Sequence, residues 1–113
     1  MDLSNLFSRG ADRDADEIAH DELAAALKSE ACVLVDVREP QEFSAGHIAG
    51  AINMPLSSFD PSRLPDGNAV VLVCRSGARS ASALSRARAA GYANVRHYRR
   101  GVIGWTNAGG ELV

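Results

Sequence analysis

One cysteine of the chain lies among residue types that favour anion binding. It is Cys74, which ends the apolar run in the segment VLVCRSGARSAS, residues 71–82. The five residues after it include two arginines and a glycine, and a helix is predicted to begin near Ser80. Residues 74–79 would then form a tight loop whose backbone N–H groups, together with the helix N-terminus, can stabilise an anion. Because helix N-termini and nearby cations lower the pKa of cysteine, we predict that Cys74 is a nucleophile.

The length of this loop bears on the reaction that it can perform. Cysteine phosphatases follow the spacing Cys-x5-Arg, whereas Cys74 and Arg79 are spaced as Cys-x4-Arg. A loop that is one residue shorter gives a smaller ring of N–H donors, which suits a single sulfur atom better than the oxygens of a phosphate. The spacing therefore disfavours a phosphatase or an arsenate reductase, and a phosphatase-like enzyme is kept only as an alternative.

Apolar runs of strand length alternate with helical patterns along the chain. Strands are predicted within residues 32–37, 69–73 and 94–98, with a short apolar piece at residues 51–54. The helical patterns lie within residues 21–30, 39–46 and 80–90, with single turns at 56–59 and 101–105, and residues 60–68 are predicted to be loop. This alternation predicts an α/β fold in which a central parallel sheet carries helices on both faces.

The third helix and the strand ends are the parts that would position the cysteine. On the helix, the residues predicted to face inward are Ala83, Leu84, Ala87 and Ala90, with Gly91 as the C-cap. Ligands of open parallel sheets bind beyond the carboxyl ends of the strands. Asp36, Cys74 and Tyr98 lie at or next to the carboxyl ends of the three predicted strands, so we expect them to lie at that end of the sheet.

The length and composition indicate one domain. A chain of 113 residues can bury one hydrophobic core. Residues 17–113 are predicted to form the folded domain, whereas the polar residues 1–16 are predicted to be a flexible extension. No apolar run approaches the roughly 20 residues of a membrane helix, and the start of the chain lacks the pattern of a secretory signal, so we expect a cytoplasmic protein. Two cysteines are too few for a disulfide framework, and Cys32 is expected to pack in the core.

Charge is distributed unevenly along the chain, although the net charge is only −2. Residues 1–66 carry 5 basic and 13 acidic side chains, and residues 67–113 carry 7 arginines and 1 acidic side chain. A surface of one sign attracts ligands of the other, which suggests an anionic substrate or an acidic partner. Arg86 and Arg88 lie beyond the loop and fit equally well as solvated residues of a helix face.

Three segments taken together resemble the rhodanese-like sulfurtransferases. They are VLVDVREPQEFSAGHIAGAINMPL (33–56), VVLVCRSGARSASAL (70–84) and GVIGW (101–105), and the resemblance runs from about Ile18 to Val113. It implies a rhodanese-like three-layer fold and a thiosulfate sulfurtransferase. Such an enzyme takes a sulfane sulfur from thiosulfate onto Cys74 as a persulfide and passes it to a thiophilic acceptor, cyanide or a thiol.

The same resemblance implies roles for the other loop residues. Cys74 is the catalytic residue, and the substrate-binding cradle consists of Arg75, Ser76, Gly77, Ala78 and Arg79. Basic side chains in this loop resemble those of the thiosulfate-using members, and the two arginines could pair with the sulfonate-like end of thiosulfate. Asp36 and Arg38 match the family's Asp-x-Arg and are expected to tie the first strand to the loop region. Arg100 departs from the usual Gly-Gly and is expected to narrow the pocket rim or to add charge to it.

No cofactor and no metal are expected. His20 and His97 show no metal-ligand spacing with either cysteine, and His47 is expected to hold its turn through hydrogen bonds. The arginines lack the accompanying features of nucleic-acid recognition, and no membrane partner is expected. The expected partners are a small-molecule sulfur donor and a cyanide or thiol acceptor. The alternative is a sulfur-relay or sensor module that delivers sulfur to an acceptor protein.

Overall fold

A computed structural model describes residues 15–113 and shows one parallel sheet. The strands are β1 (Cys32–Asp36), β2 (Ile52–Asn53), β3 (Ala69–Val73) and β4 (Val95–His97), in the order β2-β1-β3-β4. The helices are α1 (His20–Lys28), α2 (Pro40–Ala45), α3 (Ala78–Ala89) and α4 (Gly101–Asn107), with two short 3-10 turns at Leu56–Ser58 and Pro61–Arg63. The predicted α/β fold with a central parallel sheet is confirmed.

Alternate residues of the central strands point to opposite faces of the sheet, so the structure has a core on each face. The first core is formed by residues of β1, β3 and α3, among them Val35, Leu72 and Leu84. On the other face, Leu34 and Val71 pack with residues of α1 and α4. The helices therefore lie on both faces, and the continuous apolar runs of β1 and β3 reflect burial on both sides.

Several local predictions differ from the structure. A 3-10 turn occupies Pro61–Arg63 within the predicted loop, because the Asp60 side chain accepts a hydrogen bond from the Ser62 N–H. α3 begins at Ala78 rather than near Ser80, since Gly77 is its N-cap and takes a positive φ of 107°. At the other end of α3, Ala90 is exposed rather than inward and is itself the C-cap, and Gly91 follows it.

The predicted extension, residues 1–16, lies outside the described residues except for Ala15 and Asp16. Both of these contact Arg88, whose guanidinium donates to the Ala15 carbonyl and forms an ion pair with Asp16. Arg88 therefore holds the residues before α1 against α3 instead of being a solvated residue of the helix face. Across residues 15–113, no helix is both long enough and apolar enough to cross a membrane.

Candidate active site

Cys74 directly follows β3, the strand between β1 and β4, at the carboxyl end of the sheet. The loop after it is held from the other side by the first turn of α4. There the Val102 N–H donates to the Cys74 carbonyl at 2.9 Å, and the Ile103 N–H donates to the Arg75 carbonyl at 3.1 Å. The structure thus places Cys74 and the segment after Tyr98 together, as the order of strands and helices predicted.

Two glycines allow the close backbone approach that shapes this loop. A Cβ on Gly77 would overlap the Arg99 carbonyl, and a Cβ on Gly101 would overlap the Arg75 carbonyl. Both residues also have a positive φ, 107° at Gly77 and 70° at Gly101, which side chains resist. The loop and the start of α4 are therefore packed backbone to backbone, which fixes the position of the cysteine between them.

Hydrogen-bond donors converge on the sulfur of Cys74. The Gly77 N–H donates to Sγ at 3.1 Å, and Ser80 Oγ lies 3.6 Å from Sγ. Burial raises the pKa of the Cys74 thiol, but hydrogen bonds from the Ser80 hydroxyl and from the backbone N–H groups of Ser80, Gly77 and Ser76 outweigh it. The pKa of Cys74 is consequently lowered, so the thiolate forms more readily than in an ordinary cysteine.

Two residues near the sulfur were missed by the sequence reasoning. Ser80 Oγ lies 2.8 Å from Nδ1 of His97, and both side chains are buried. The sequence pattern indicates Ser80 only as the start of a helix, and it gives His97 no role, because His97 lacks metal-ligand spacing with either cysteine. The signal available in the sequence was the position of Ser80 in the first turn after the loop, where a hydroxyl can turn back towards Cys74.

Arg79 forms an ion pair with Glu42. Its two terminal nitrogens contact the two carboxylate oxygens of Glu42 at 2.7 and 3.0 Å, which links the loop to α2. The hydrogen bond from Arg79 is the main cause that lowers the pKa of Glu42 to about 2. Arg75, in contrast, is exposed and forms no ion pair within residues 15–113. Of the two arginines predicted to bind thiosulfate, only Arg75 has a guanidinium that no carboxylate of that range neutralises.

Asp36 and Arg38 form a buried pair at the end of β1. The Arg38 guanidinium donates to both carboxylate oxygens of Asp36, and it also donates to the Gly46 carbonyl at 2.8 Å. The pair thus ties β1 to the end of α2, the helix whose Glu42 pairs with Arg79. His47, which follows Gly46, donates a hydrogen bond from Nδ1 to the Phe43 carbonyl and stacks on the Phe43 ring, so it holds its turn as expected.

Among residues 15–113, no three or more His, Cys, Asp or Glu side chains form a group that could hold a metal ion. Cys32 lies at the start of β1, at the amino end of the sheet, and packs against the core on the α1 and α4 face. Burial raises the pKa of Cys32, and the charge of Arg96 only partly offsets this.

The model of the rhodanese-like domain family matches residues 19–108, which is most of the chain. The chain belongs to this family.

Individual proteins are also similar to the chain. The chain is 43% identical over 94 residues to the uncharacterized protein slr1261 of Synechocystis sp., covering 81% of the chain but only about half, 52%, of that relative's length. It is 42% identical over 76 residues to the thiosulfate sulfurtransferase GlpE of Pseudomonas entomophila, covering 66% of the chain and 70% of that protein. The structure of the human single-domain sulfurtransferase TSTD1 superposes with a TM-score of 0.72 at 30% identity, over 82% of the chain and 96% of TSTD1.

Arg100 is accommodated without the glycine that is usual at this position of rhodanese-like domains. Its φ of −68° suits any L-residue, so the backbone here does not require glycine. Its side chain lies across Gly104, where a Cβ would overlap the Cβ of Arg100 and approach Nε to 3.2 Å. The absence of a side chain at Gly104 therefore makes room for Arg100 along α4. Arg100 and the neighbouring Arg99 are both exposed.

Proposed function

We propose that this rhodanese-like domain transfers a sulfane sulfur from thiosulfate to a thiophilic acceptor, cyanide or a thiol, through a persulfide on Cys74. The observation that carries the proposal is the convergence of hydrogen-bond donors on Cys74 Sγ, which lowers the pKa of the thiol at the carboxyl end of the sheet. A thiolate is the nucleophile that such a transfer needs, and the chain supplies it without a neighbouring general base.

The reaction would proceed in two displacements at sulfur. The Cys74 thiolate attacks the outer sulfur of thiosulfate, a new S–S bond forms, and the old S–S bond breaks with its electron pair leaving on sulfite. The acceptor then attacks the outer sulfur of the persulfide. The S–S bond to Cys74 breaks and its electron pair stays on Cys74, which is regenerated as the thiolate with no net oxidation. Cyanide is converted to thiocyanate, and a thiolate acceptor is converted to a persulfide.

The loop would act as a cradle for the charged sulfur. The backbone of residues 75–79 surrounds the position next to Cys74, and the N–H groups of Ser76 and Gly77 already contribute to stabilising negative charge there. These donors are fixed by the packing of the loop on α4, so they need no reorganisation when the persulfide forms. The backbone of Ala78 and Arg79 begins α3 and adds the positive end of that helix.

Within this cradle the two arginines would have different roles. Arg75 is exposed and is proposed to pair with the sulfonate-like end of thiosulfate. Arg79 is proposed to act mainly by position, because Glu42 already accepts both of its terminal N–H groups. Asp36 and Arg38 support α2, the helix that carries Glu42, through the Gly46 carbonyl. Arg100 adds positive charge at the rim.

A sulfur relay to an acceptor protein is the second candidate, and the exposed arginines favour it. Arg75, Arg99 and Arg100 are all exposed. The Arg99 carbonyl lies close to Gly77, and the Arg75 carbonyl lies close to Gly101. An acidic surface on an acceptor protein would complement them. In either case we propose the cytoplasm as the compartment, since a catalytic thiolate needs reducing conditions.

The test of the proposed function is the formation of thiocyanate from thiosulfate and cyanide. Cys74→Ser is expected to abolish it, because a serine hydroxyl is not ionised in this loop and cannot carry a labile sulfur. Cys32→Ser is the matched control and is expected to retain most of the activity. Thiocyanate formation by the Cys74→Ser protein would contradict the proposal, as would hydrolysis of a chromogenic phosphate ester by a parent protein that shows no sulfur transfer.

A further inference from the structure

We propose that His97 is a positioning residue for Cys74 and acts through Ser80. The Nδ1–H of His97 donates to Ser80 Oγ, and this directs the hydroxyl proton of Ser80 to the Cys74 thiolate. The inference rests on the proposed function only in so far as the thiolate is the reactive group, and its test measures the thiolate itself.

Ser80 has three neighbours and a single hydroxyl proton. Its Oγ lies 2.8 Å from His97 Nδ1, 3.1 Å from the Gly77 carbonyl and 3.6 Å from Cys74 Sγ. A hydroxyl donates one hydrogen bond and accepts two, so it cannot donate to all three neighbours. The state of the cysteine therefore decides how the proton of Ser80 is used.

When Cys74 is a thiol, its S–H can donate to Ser80 Oγ, and the Ser80 hydroxyl is free to donate to the Gly77 carbonyl or to Nδ1. When Cys74 is a thiolate, the sulfur only accepts, so the Ser80 hydroxyl must turn to it. The Gly77 carbonyl does not lose its last partner, because the Ala81 N–H also donates to it at 3.0 Å. His97 Nδ1 is then the only one of the three neighbours that can donate to Ser80 Oγ.

The imidazole of His97 is held in place for this role. His97 is the last residue of β4 and pairs with Leu72 of β3, and its carbonyl accepts a hydrogen bond from the Ile18 N–H at 3.1 Å. Only 5% of the residue is exposed. The backbone of His97 is thus held by its neighbours and the residue is buried, with Nδ1 at hydrogen-bond distance from Ser80 Oγ. The direction of that hydrogen bond depends on the tautomer of the ring.

The charged surroundings of His97 are mixed in sign. Burial lowers its pKa, the carboxylates of Glu17 and Asp16 raise it, and Arg99 lowers it further, with a net lowering that favours the neutral ring. Arg88 and Ser85 of α3 line the same open depression as the ring, together with Asp16 and Glu17. A neutral imidazole carries one N–H proton, and in the proposed arrangement that proton lies on Nδ1 whenever Cys74 is ionised.

The direct test is the imidazole ¹⁵N NMR spectrum of the folded parent protein, recorded across the pH range in which Cys74 ionises. The chemical shifts distinguish an Nδ1–H ring from an Nε2–H ring, and the signals of His97 are assigned by their absence from His97→Asn. Above the pKa of Cys74 we expect the proton on Nδ1. An Nε2–H ring in the thiolate state of the parent protein would overturn the proposal.

Thiolate titration by ultraviolet absorbance, in the Cys32→Ser background, gives a second test. His97→Leu removes the donor and is expected to raise the pH midpoint of Cys74 ionisation by about one unit. His97→Asn is the matched control, since its amide N–H can replace Nδ1–H, and its midpoint should stay near that of the parent. Equal midpoints for the Leu and Asn variants would contradict the proposal.

The path through Ser80 is tested by combining substitutions. Ser80→Ala should raise the midpoint by itself, and adding His97→Leu to Ser80→Ala should change it little further. Two shifts that simply add would show that His97 acts on Cys74 without Ser80, which is contrary to the proposal. All of these readouts are independent of thiosulfate, so a failure of sulfur transfer in the parent would count against the proposed function and leave this inference to be judged on the titrations.

Discussion

Cys32 begins β1 at the amino end of the sheet, and Cys74 follows β3 at the carboxyl end. Burial raises the pKa of both thiols, but only Cys74 has hydrogen-bond donors that reverse the direction. The difference follows from strand polarity. Each strand of a parallel sheet leads, at its carboxyl end, into a loop whose N–H groups and helix N-terminus can face an anion. The pKa of the same residue type is therefore raised at one end of the sheet and lowered at the other.

The glycines of the two ends differ in the same way. Gly67 and Gly91 precede β3 and β4 at the amino end, have positive φ and have nothing within 4 Å of an added Cβ. Gly77 and Gly101, at the carboxyl end, have positive φ as well, but an added Cβ would overlap a backbone carbonyl. Glycine at the amino end serves only to turn the chain, whereas at the carboxyl end it also brings two backbone segments together around Cys74.

The largest effect is expected from Gly101→Ala compared with Gly91→Ala. At Gly91 the alanine meets no neighbour and is unfavourable only because it must adopt the left-handed conformation, which lowers the free energy of unfolding by about 1–2 kcal/mol. At Gly101 the overlap with the Arg75 carbonyl adds to that cost, for a total of about 2–5 kcal/mol, and the loop is displaced. Chemical denaturation and sulfur transfer should be measured on both variants. Equal losses of stability, with activity retained in Gly101→Ala, would show that the close packing of the loop is unimportant.

The two cysteines should also differ in the pH dependence of their alkylation. In single-cysteine variants treated with iodoacetamide, the rate at Cys74 should reach half its maximum below the pH typical of a free thiol, and the rate at Cys32 above it. The midpoint is compared rather than the absolute rate, because access to the two sulfurs differs. Coincident midpoints would remove the distinction between the two ends of the sheet.

The loop itself could be predicted from the sequence, but the partners of its side chains could not. Strand and helix periodicity, with Gly77 and the arginines after Cys74, was enough to place the cysteine at the carboxyl end. The pairing of Arg79 with Glu42 joins residues 37 positions apart and depends on how α2 docks. The contact of Ser80 with His97 depends likewise on the register of β4 with β3, which no local pattern specifies.

The next comparison is between two exposed arginines, each replaced by alanine. Arg75 lies in the loop after Cys74, and Arg86 lies in the last turn of α3, towards the amino end of the sheet. If Arg75 binds thiosulfate, its loss removes a charge-assisted hydrogen bond worth about 1.5–3 kcal/mol in a shielded site, so KM should rise about tenfold or more. Arg86→Ala should leave KM nearly unchanged at high salt, because it contributes only screened attraction. Steady-state kinetics at two ionic strengths provide the comparison, and an unchanged KM in Arg75→Ala would mean that thiosulfate is held by the backbone alone.

The smallest effect is expected from Glu42→Gln, which breaks the ion pair with Arg79. The pair is partly exposed and therefore screened, so the loss at neutral pH should be about 0.5–1 kcal/mol. Because the folded state lowers the pKa of Glu42 to about 2, its stabilising contribution is present above the ordinary carboxyl pKa and disappears as the pH falls towards 2. The stabilities of the parent and Glu42→Gln should thus converge on acidification. A constant difference between them down to pH 2 would show that the ion pair is not its cause.

The proposed function requires that Cys74, and not Cys32, carries the transferred sulfur. Intact-mass measurement after incubation with thiosulfate, followed by removal of small molecules, tests it most directly. We expect a gain of one sulfur atom in the parent and in Cys32→Ser, which is lost again on addition of cyanide, and no gain in Cys74→Ser. A sulfur atom retained by Cys74→Ser and absent from Cys32→Ser would contradict the account.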